Sequence, residues 1–296
     1  TGMRILLTGG TGFVGTALNE ALKSQGHETV LLTRHDVPPP GVALAPHWLA
    51  GVDAIVNMAG ESIAGGRWTA AYKQKIRDSR IVLTRALAEA CSAAAANGQP
   101  TPKVLISFSA VGYYGTHPTQ QFDEQSPAGD SWLCGVARDW EAAALQAVSA
   151  GVRLVVLRLG VVLGPGGFLA RLATPFRLFV GGPAGAGTQP ISWIHRDDVV
   201  AVVSQALTDE AMQGPYNLTA PQPATMDEMA AAIGEALQRP SWLRTPAFPL
   251  RLLFGEMADE LILNGQRVLP ARLQAAGYSF HQPELRAAVR GAFAEK

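Results

Sequence analysis

The sequence predicts an α/β fold in which a doubly wound parallel sheet carries helices on both faces and is followed by a smaller C-terminal lobe. Short apolar runs alternate with segments able to form helices, and glycines follow the first run directly. Beyond residue 165 this alternation becomes irregular. We therefore assign residues 3–165 to the sheet domain, expect a segment near 190–220 to return to it, and assign 166–296 to the smaller lobe.

Five apolar runs supply the predicted strands, and they cover residues 4–8, 29–33, 54–58, 103–108 and 153–157. The first helix is expected over 13–25, where Leu18 and Leu22 share a face and Gly26 stands at the C-terminal end. Prolines crowd the segment 34–51. Only an abbreviated crossover fits there, because proline removes backbone donors and breaks helices.

A long helix is predicted over 69–96, with one apolar face that contains Ile76, Leu83, Leu87 and Ala90. Several cations stand near its start, Arg80 among them, and such a group is typical of a solvated helix face. In the second half of the chain, short helices are expected over 226–237 and 266–276.

Composition excludes several classes of protein. Apolar residues make up 48% of the chain and charged residues 16%, which favours a compact globular fold. The 24 basic and 24 acidic residues balance, so we expect no nucleic-acid partner. Cys91 and Cys134 lack metal-ligand spacing, so no metal site is expected. The sequence shows no signal-peptide pattern and no apolar stretch of roughly 18 residues. We therefore expect a cytoplasmic protein with no membrane partner.

The segment from Thr8 to Gly15 reads TGGTGFVG and lies between the first strand and the first helix. The first glycine permits a tight turn, the second lets backbone N–H groups approach a pyrophosphate, and the third lets helix and strand pack closely. A Rossmann-like domain that binds a dinucleotide is therefore predicted. Its expected contacts in this segment are Thr8, Gly9, Gly12, Phe13, Val14 and Gly15.

Arg34 stands at the end of the second strand, where NAD enzymes carry an acidic residue that binds the ribose 2′-hydroxyl. A guanidinium can instead pair with a 2′-phosphate, so the sequence favours NADP as the cofactor. Asp36 stands two residues later and is the alternative ribose contact, which would favour NAD.

Two further strand ends should face the cofactor. Asn57, Ala59 and Gly60 flank the third strand, and their small side chains suit a nearby ring, although Gly60 alone equally fits a structural turn. Ser107 lies in the fourth predicted strand, at the same edge of the sheet.

Several motifs resemble the extended short-chain dehydrogenase/reductase superfamily, which includes nucleotide-sugar epimerases, dehydratases and reductases. They are the glycine turn, NMAG at 57–60, SFSAVGYYG at 107–115, RLG at 158–160 and WIHRDD at 193–198. Other motifs resemble its atypical "epimerase family protein" branch, whose C-terminal segment is a domain of unknown function. These are RW at 67–68, SR at 79–80, GYYG at 112–115, WE at 140–141, LRLLFGE at 250–256 and NGQR at 264–267.

The resemblance implies a catalytic Ser or Thr paired with Tyr-x-x-x-Lys. Ser109 matches the first, but counting back from Glu141 places Leu133 and Ala137 at the tyrosine and lysine positions. A frame shifted by one residue gives Cys134 and Arg138, which are poor substitutes for proton transfer. The remaining catalytic candidates are Ser109, Tyr113 and Tyr114. Each phenol either acts as acid/base or packs in the core or pocket wall.

We expect an NADP-dependent enzyme of epimerase or reductase type that acts on a small polar or nucleotide-linked substrate in the cleft between the lobes. The candidate substrate contacts are Trp68, Arg171, Trp193 and His195, although His195 also fits a hydrogen-bonded junction residue. The alternative is a non-catalytic NADP(H)-binding sensor or scaffold protein. The missing tyrosine and lysine favour that alternative.

Overall fold

The computed structural model describes residues 2–295, which form twelve strands and nine α-helices. The strands are β1 (Arg4–Thr8), β2 (Glu28–Leu32), β3 (Ala54–Asn57), β4 (Val104–Ala110), β5 (Gln121–Phe122), β6 (Arg153–Leu159), β7 (Val161–Leu163), β8 (Pro190–Ile191), β9 (Trp193–His195), β10 (Gly214–Leu218), β11 (Ala224–Thr225) and β12 (Arg267–Val268). The helices are α1 (Phe13–Ser24), α2 (Ala70–Ala96), α3 (Trp132–Leu145), α4 (Gly167–Arg177), α5 (Arg196–Thr208), α6 (Met226–Leu237), α7 (Ala247–Phe254), α8 (Ala271–Ala275) and α9 (Leu285–Ala294).

Six strands form one parallel sheet in the order β10-β6-β4-β3-β1-β2. The chain leaves β1 toward β2 on one side and continues through β3, β4, β6 and β10 on the other. A switch point therefore lies between β1 and β3, where open α/β sheets bind ligands. The predicted α/β fold class is confirmed, and β10 shows that the chain returns to the sheet after residue 190.

Alternate residues of the buried strands enter two cores. Ile5 and Leu7 of β1 pack with Leu18 of α1, whereas Leu6 packs on the opposite face with Leu83 and other residues of α2. Both faces of the sheet are therefore covered, as the continuous apolar runs require. Each fully buried leucine side chain contributes about 1.5–3 kcal/mol of transfer free energy.

Two local expectations meet different outcomes. The abbreviated crossover after β2 consists of two 3₁₀ turns, Arg34–Asp36 and Pro46–Leu49, as the prolines predicted. The prediction of a helix over 266–276 is wrong at its start, because β12 lies there. Only Ala271–Ala275 is helical, and this helix begins directly after Pro270.

The C-terminal lobe has its own core, where α4, α6 and α9 pack around buried apolar side chains such as Met229 and Val289. A π-helix, Ala258–Ile262, then leads to β12, which pairs with β5 beside the main sheet. The hydroxyl of Ser192 donates to the Gln266 carbonyl at 2.7 Å and fixes this segment over the carboxyl edge of the sheet. Across residues 2–295, the helices include none with the length and apolarity that crossing a membrane requires.

Candidate functional site

A first cavity of about 550 Å³ opens at the carboxyl ends of β1, β2 and β3. The glycine turn, the end of β2, residues 58–61 and one face of α2 line it. Its size lies within the range of small-molecule and cofactor sites. Ala59 and Gly60, which the sequence predicts as cofactor contacts, lie on its wall. The cavity therefore coincides with the switch point of the sheet.

The three glycines of the turn have different roles. Gly9 has a φ of +70°, and a Cβ there would lie 2.8 Å from the Met58 carbonyl carbon. A Cβ at Gly15 would lie 2.0 Å from the Gly9 oxygen, so at this position the backbone of α1 is in direct contact with the backbone of the turn. A Cβ at Gly12 would meet only the Gly9 oxygen, at 3.4 Å, and Gly12 lines the cavity. Gly12 is thus the position at which a ligand can approach the backbone.

The start of α1 can bind an anion through its backbone. Its first turn contains no acidic residue, and N–H groups at a helix N-terminus have no intrahelical acceptor. The side chains point elsewhere: the Phe13 ring lies 4.7 Å from the Arg196 guanidinium carbon, and Val14 packs on the core. Phe13 and Val14 can therefore contact a phosphate only through their amides.

Three predicted cofactor residues form a buried network behind the cavity wall. The Thr8 hydroxyl donates to Asn57 Oδ1 at 2.6 Å and accepts from the amides of Met58 and Ala59. Asn57 Nδ2 donates to Ser107 Oγ at 3.2 Å. All three side chains are at most 1% exposed, so they connect β1, β3 and β4 and do not line the cavity.

Arg34 lies at the rim of the first cavity, at the end of β2, with an exposed side chain. Lys75 on α2 lines the same cavity, so two cations are available to a phosphate there. Asp36, the alternative ribose contact, does not line this cavity, and its Oδ2 accepts from the amide and hydroxyl of Thr33, both at 2.9 Å. These hydrogen bonds lower the pKa of Asp36 and hold it as the cap of the 3₁₀ turn.

A second cavity of about 330 Å³ adjoins the first, and Met58 lines both. Leu133 and Ala137, which the count back from Glu141 assigns to the tyrosine and lysine positions, line it together with Ser109. Neither side chain can transfer a proton. In the shifted frame, Cys134 is buried and donates to the Gly112 carbonyl at 3.2 Å, while Arg138 is exposed.

Ser109 lines the second cavity, but its hydroxyl donates to a carboxylate that does not line it. It donates to Glu141 Oε2 at 2.6 Å, and Arg158 holds that carboxylate through two hydrogen bonds of 2.9 and 2.7 Å. The Arg158 charge is thus paired, and the orientation of Ser109 is fixed. Ser109 can accept a hydrogen bond from a ligand in the cavity.

Neither Tyr113 nor Tyr114 lines the first or the second cavity, which favours the alternative that these phenols pack in the core or the pocket wall over an acid/base role. Tyr114 donates to Asn217 Oδ1 at 2.6 Å, accepts from Arg158 at 2.9 Å and stacks on Phe122. Burial raises the pKa of Tyr114 to about 12, which opposes a role as a base. The Tyr113 ring centroid lies 3.7 Å from the Arg158 guanidinium carbon, and Tyr113 lines a separate small cavity beside α3.

The four predicted substrate contacts also line neither of these cavities. Trp68 is buried and donates to the Ile63 carbonyl at 2.8 Å, whereas Arg171 is exposed on α4. Trp193 is buried in the core of the C-terminal lobe. His195 caps α5, because its Nδ1 accepts from the Asp197 amide at 3.0 Å. Burial lowers the pKa of His195, although Asp197 opposes that shift.

Sequence reasoning missed most residues that line the second cavity, among them the polar residues Arg80, Glu260 and Gln266. Arg80 is largely buried and not part of a solvated face, and it lies four residues after buried Ile76 and four before buried Thr84. That spacing was the available signal. Gln266 donates to the carbonyls of Val111 and Gly115, contacts for which the sequence offered only the NGQR motif.

Glu260 lies in the π-helix and is half-buried at the wall of the second cavity. Burial raises the pKa of its carboxyl group, and a hydrogen bond with Ser131 partly opposes the shift. In the part of the chain between residues 2 and 295, His, Cys, Asp and Glu side chains form no cluster that could hold a metal ion.

Comparison with known proteins agrees with this geometry. The NAD dependent epimerase/dehydratase family matches residues 5–219, and the domain of unknown function DUF1731 matches residues 245–292. The Arabidopsis thaliana protein named epimerase family protein SDR39U1 homolog, chloroplastic, is 41% identical over 97% of this chain and 86% of its own length. The crystal structure of human epimerase family protein SDR39U1 (isoform 2) with NADPH is similar with a TM-score of 0.88 and 35% identity, covering 99% of this chain and all of that one. A nucleoside-diphosphate sugar epimerase from Corynebacterium glutamicum gives a TM-score of 0.79 at 32% identity, covering 99% of this chain and 58% of that one.

Proposed function

The chain belongs to the NAD-dependent epimerase/dehydratase family, and from that premise we propose that it binds NADP(H) in the first cavity and performs epimerase or reductase chemistry on a small substrate in the second. The observation that carries the proposal is the pairing of a glycine turn with Arg34 around one cavity at the switch point of the sheet. The human relative whose crystal structure contains NADPH supports the choice of cofactor.

The residues around the first cavity fit such a dinucleotide. Gly12 leaves room for a pyrophosphate against the α1 amides, and Arg34 lies where a 2′-phosphate would lie in a nucleotide bound across the switch point. A hydrogen bond between charged groups contributes about 1.5–3 kcal/mol. NAD lacks the phosphate and would lose this contribution, so we expect discrimination in favour of NADP(H).

The second cavity would hold the substrate beside the nicotinamide. When bound, the cofactor supplies a hydride donor or acceptor, whereas the chain's residues position the substrate and handle its protons. Met58 forms the boundary between the cavities, and α3, β4 and the C-terminal segment enclose the second one. This enclosure would restrict the access of water to the reacting atoms.

Proton transfer in this site cannot use the usual phenol and lysine, because Leu133 and Ala137 occupy their positions. We propose Glu260 as the proton donor and acceptor toward a substrate oxygen. Its carboxyl lies at the cavity wall, and burial raises its pKa, which increases the protonated fraction at a given pH. Ser109 would orient the substrate by accepting a hydrogen bond, since its own proton is held by Glu141.

The apolar residues at 133 and 137 also favour a second candidate function, a non-catalytic NADP(H) sensor or scaffold. In that case the second cavity would hold a ligand or partner segment that responds to the redox state of the cofactor. NADPH binding is common to both candidates, whereas turnover is expected only of the enzyme.

The test combines binding and turnover. NADPH affinity is measured by calorimetry. Reductase turnover is followed as NADPH oxidation with a panel of small carbonyl compounds. Epimerase turnover, which leaves the cofactor unchanged overall, is followed by chromatography as conversion of sugar nucleotides in the presence of NADP⁺. Glu260→Gln should keep NADPH affinity and lose turnover, whereas Glu210→Gln, an exposed control on the loop before β10, should change neither. Turnover that survives Glu260→Gln contradicts the proton-transfer role. NADPH binding without any turnover favours the sensor, and absence of NADPH binding refutes both.

A further inference from the structure

Arg80 brings a positive charge to the junction of the two cavities. It lines the second cavity, and its guanidinium lies against Gly60, which lines the first. A Cβ at Gly60 would lie 2.9 Å from the Arg80 Cζ, so the glycine leaves the space that the guanidinium occupies. On its other side, the Trp140 ring centroid lies 5.2 Å from Cζ. The position of the guanidinium is therefore defined by its neighbours.

The charge of Arg80 has no carboxylate partner among residues 2–295. One terminal nitrogen, Nη1, donates to the backbone carbonyls of Glu61 at 2.8 Å and Ile76 at 3.2 Å. Burial lowers the pKa of Arg80 to about 10, although Glu61 opposes the shift through its charge. A guanidinium has five N–H donors, so most of its hydrogen-bonding capacity is not used by these two carbonyls. An anion at this position would offset the desolvation of the charge.

Most other polar side chains of the second cavity already have partners. Ser109 donates to Glu141 at 2.6 Å, Ser192 donates to the Gln266 carbonyl at 2.7 Å, and the side-chain amide of Gln266 donates to the Gly115 carbonyl at 3.0 Å. The remaining wall is largely apolar, with aromatic and aliphatic side chains from β4, α3 and the π-helix. Arg80 thus stands out as the cation of this wall.

The volume and charge of the cavity argue against a nucleotide sugar. A diphosphate carries two negative charges, and the wall of this 330 Å³ cavity offers one Lys or Arg, Arg80, and also one carboxyl group, Glu260, among the described residues. A compact molecule with one anionic group and an apolar body fits both the size and the single cation.

We infer that the second cavity selects a small carboxylate with an apolar body, and that Arg80 binds its carboxylate group beside the cofactor. This inference rests on the proposed function, because it assigns the substrate class of the same site. Of the two substrate classes expected from the sequence, small polar or nucleotide-linked, it favours the first. Arg80 is then the specificity-determining residue of the cavity.

The test uses 3-phenylpropanoate and its neutral isostere, 3-phenylpropanamide, titrated calorimetrically into the full-length protein saturated with NADPH. The wild type should bind the carboxylate at least about tenfold more tightly than the amide, which corresponds to one charge-assisted contact. Arg80→Gln should abolish this preference, and Arg80→Lys should retain part of it. Arg85→Gln, an exposed control on the same helix, should keep the wild-type preference.

Equal affinity for the carboxylate and the amide, or an unchanged preference in Arg80→Gln, would overturn the inference. Tighter binding of UDP-glucose than of the carboxylate would also overturn it. The NADPH affinity of each variant is measured separately. If Arg80→Gln weakens NADPH as much as the carboxylate, Arg80 serves the cofactor and the inference is wrong, while the proposed function stands. If the wild type does not bind NADPH, the proposed function itself fails.

Discussion

A methyl group added to the glycine turn should have a different effect at Gly15 than at Gly12. At Gly15 it should lower the stability of the fold, and at Gly12 it should weaken cofactor binding. A Cβ at Gly15 would lie 2.0 Å from the Gly9 oxygen and 2.7 Å from the Gly10 Cα. Both neighbours are backbone atoms, so the turn must move. Overpacking of this kind costs about 1–3 kcal/mol, and backbone contacts leave little room for relief. Gly15→Ala should therefore destabilise the fold.

Gly12→Ala should instead leave the fold intact and prevent cofactor binding. Its Cβ would meet only the Gly9 oxygen at 3.4 Å, and its backbone angles, φ −78° and ψ −176°, suit alanine. The expected cost in the free energy of unfolding is below about 1 kcal/mol, from the poorer N-cap. The methyl group would point into the space that a pyrophosphate needs, so NADPH affinity should fall at least about tenfold.

Urea denaturation gives the stabilities, and fluorescence titration gives NADPH affinity for both variants and the wild type. Gly12→Ala should combine a near-native midpoint with weak binding, and Gly15→Ala should lower the midpoint. Normal NADPH binding by Gly12→Ala would show that the phosphate lies elsewhere. A native midpoint for Gly15→Ala would refute the packing argument.

Three further substitutions test other parts of the structure. Tyr114→Phe removes a hydrogen-bond partner of buried Asn217 and Arg158, so the free energy of unfolding measured in urea should fall by about 1–3 kcal/mol while NADPH affinity stays unchanged. Weakened NADPH binding at native stability would contradict the position of Tyr114 in the core. Because burial depresses the pKa of His195 below 6.5, unfolding takes up a proton there, and stability should fall as the pH drops below about 6.5. His195→Asn keeps an N-cap acceptor and should reduce this decline in thermal melts at pH 5 to 8, and an identical pH profile would refute the assignment. Because burial raises the pKa of Glu260 above 4.5, the wild type should lose stability relative to Glu260→Gln as the pH rises through that raised pKa, and a constant difference in melting temperature between pH 4 and 8 would show that burial does not perturb it.

The sheet and the first cavity were predictable from the sequence because their signals are local. A strand buried on both faces gives a continuous apolar run, and a glycine turn at a strand end places the phosphate site directly. Arg34 follows β2 in the sequence and lines the cavity in the structure. These features need no knowledge of distant contacts.

The second cavity depends on contacts between distant parts of the chain. Tyr114 is fixed in the core by Arg158 and Asn217, which lie 44 and 103 residues away in the sequence. Gln266 contacts Gly115 across 151 residues, and this long-range closure brings Glu260 to the cavity. Local patterns cannot show whether a phenol packs in the core or faces a cavity, so the sequence left both alternatives open for Tyr113 and Tyr114.

Arg80 illustrates a different failure. The sequence placed it in a group of cations, which usually marks a solvated face. Its spacing from Ile76 and Thr84 puts it on the buried face, and the small residue Gly60 makes room for the guanidinium. At this position the helical periodicity therefore indicates the burial of Arg80 correctly, whereas the charge of the neighbouring residues does not.

The central claim is that the first cavity binds NADP(H) and that Arg34 selects it over NAD(H). The most direct test is a calorimetric comparison of NADPH and NADH affinity in the wild type and in Arg34→Ala, with Arg85→Ala as an exposed control that lines neither cavity. One charge-assisted contact of about 1.5–3 kcal/mol corresponds to roughly ten- to 150-fold in affinity. Arg34→Ala should weaken NADPH by an amount in that range and leave NADH and the control almost unchanged. Equal losses for both dinucleotides, or no loss for either, would contradict the account.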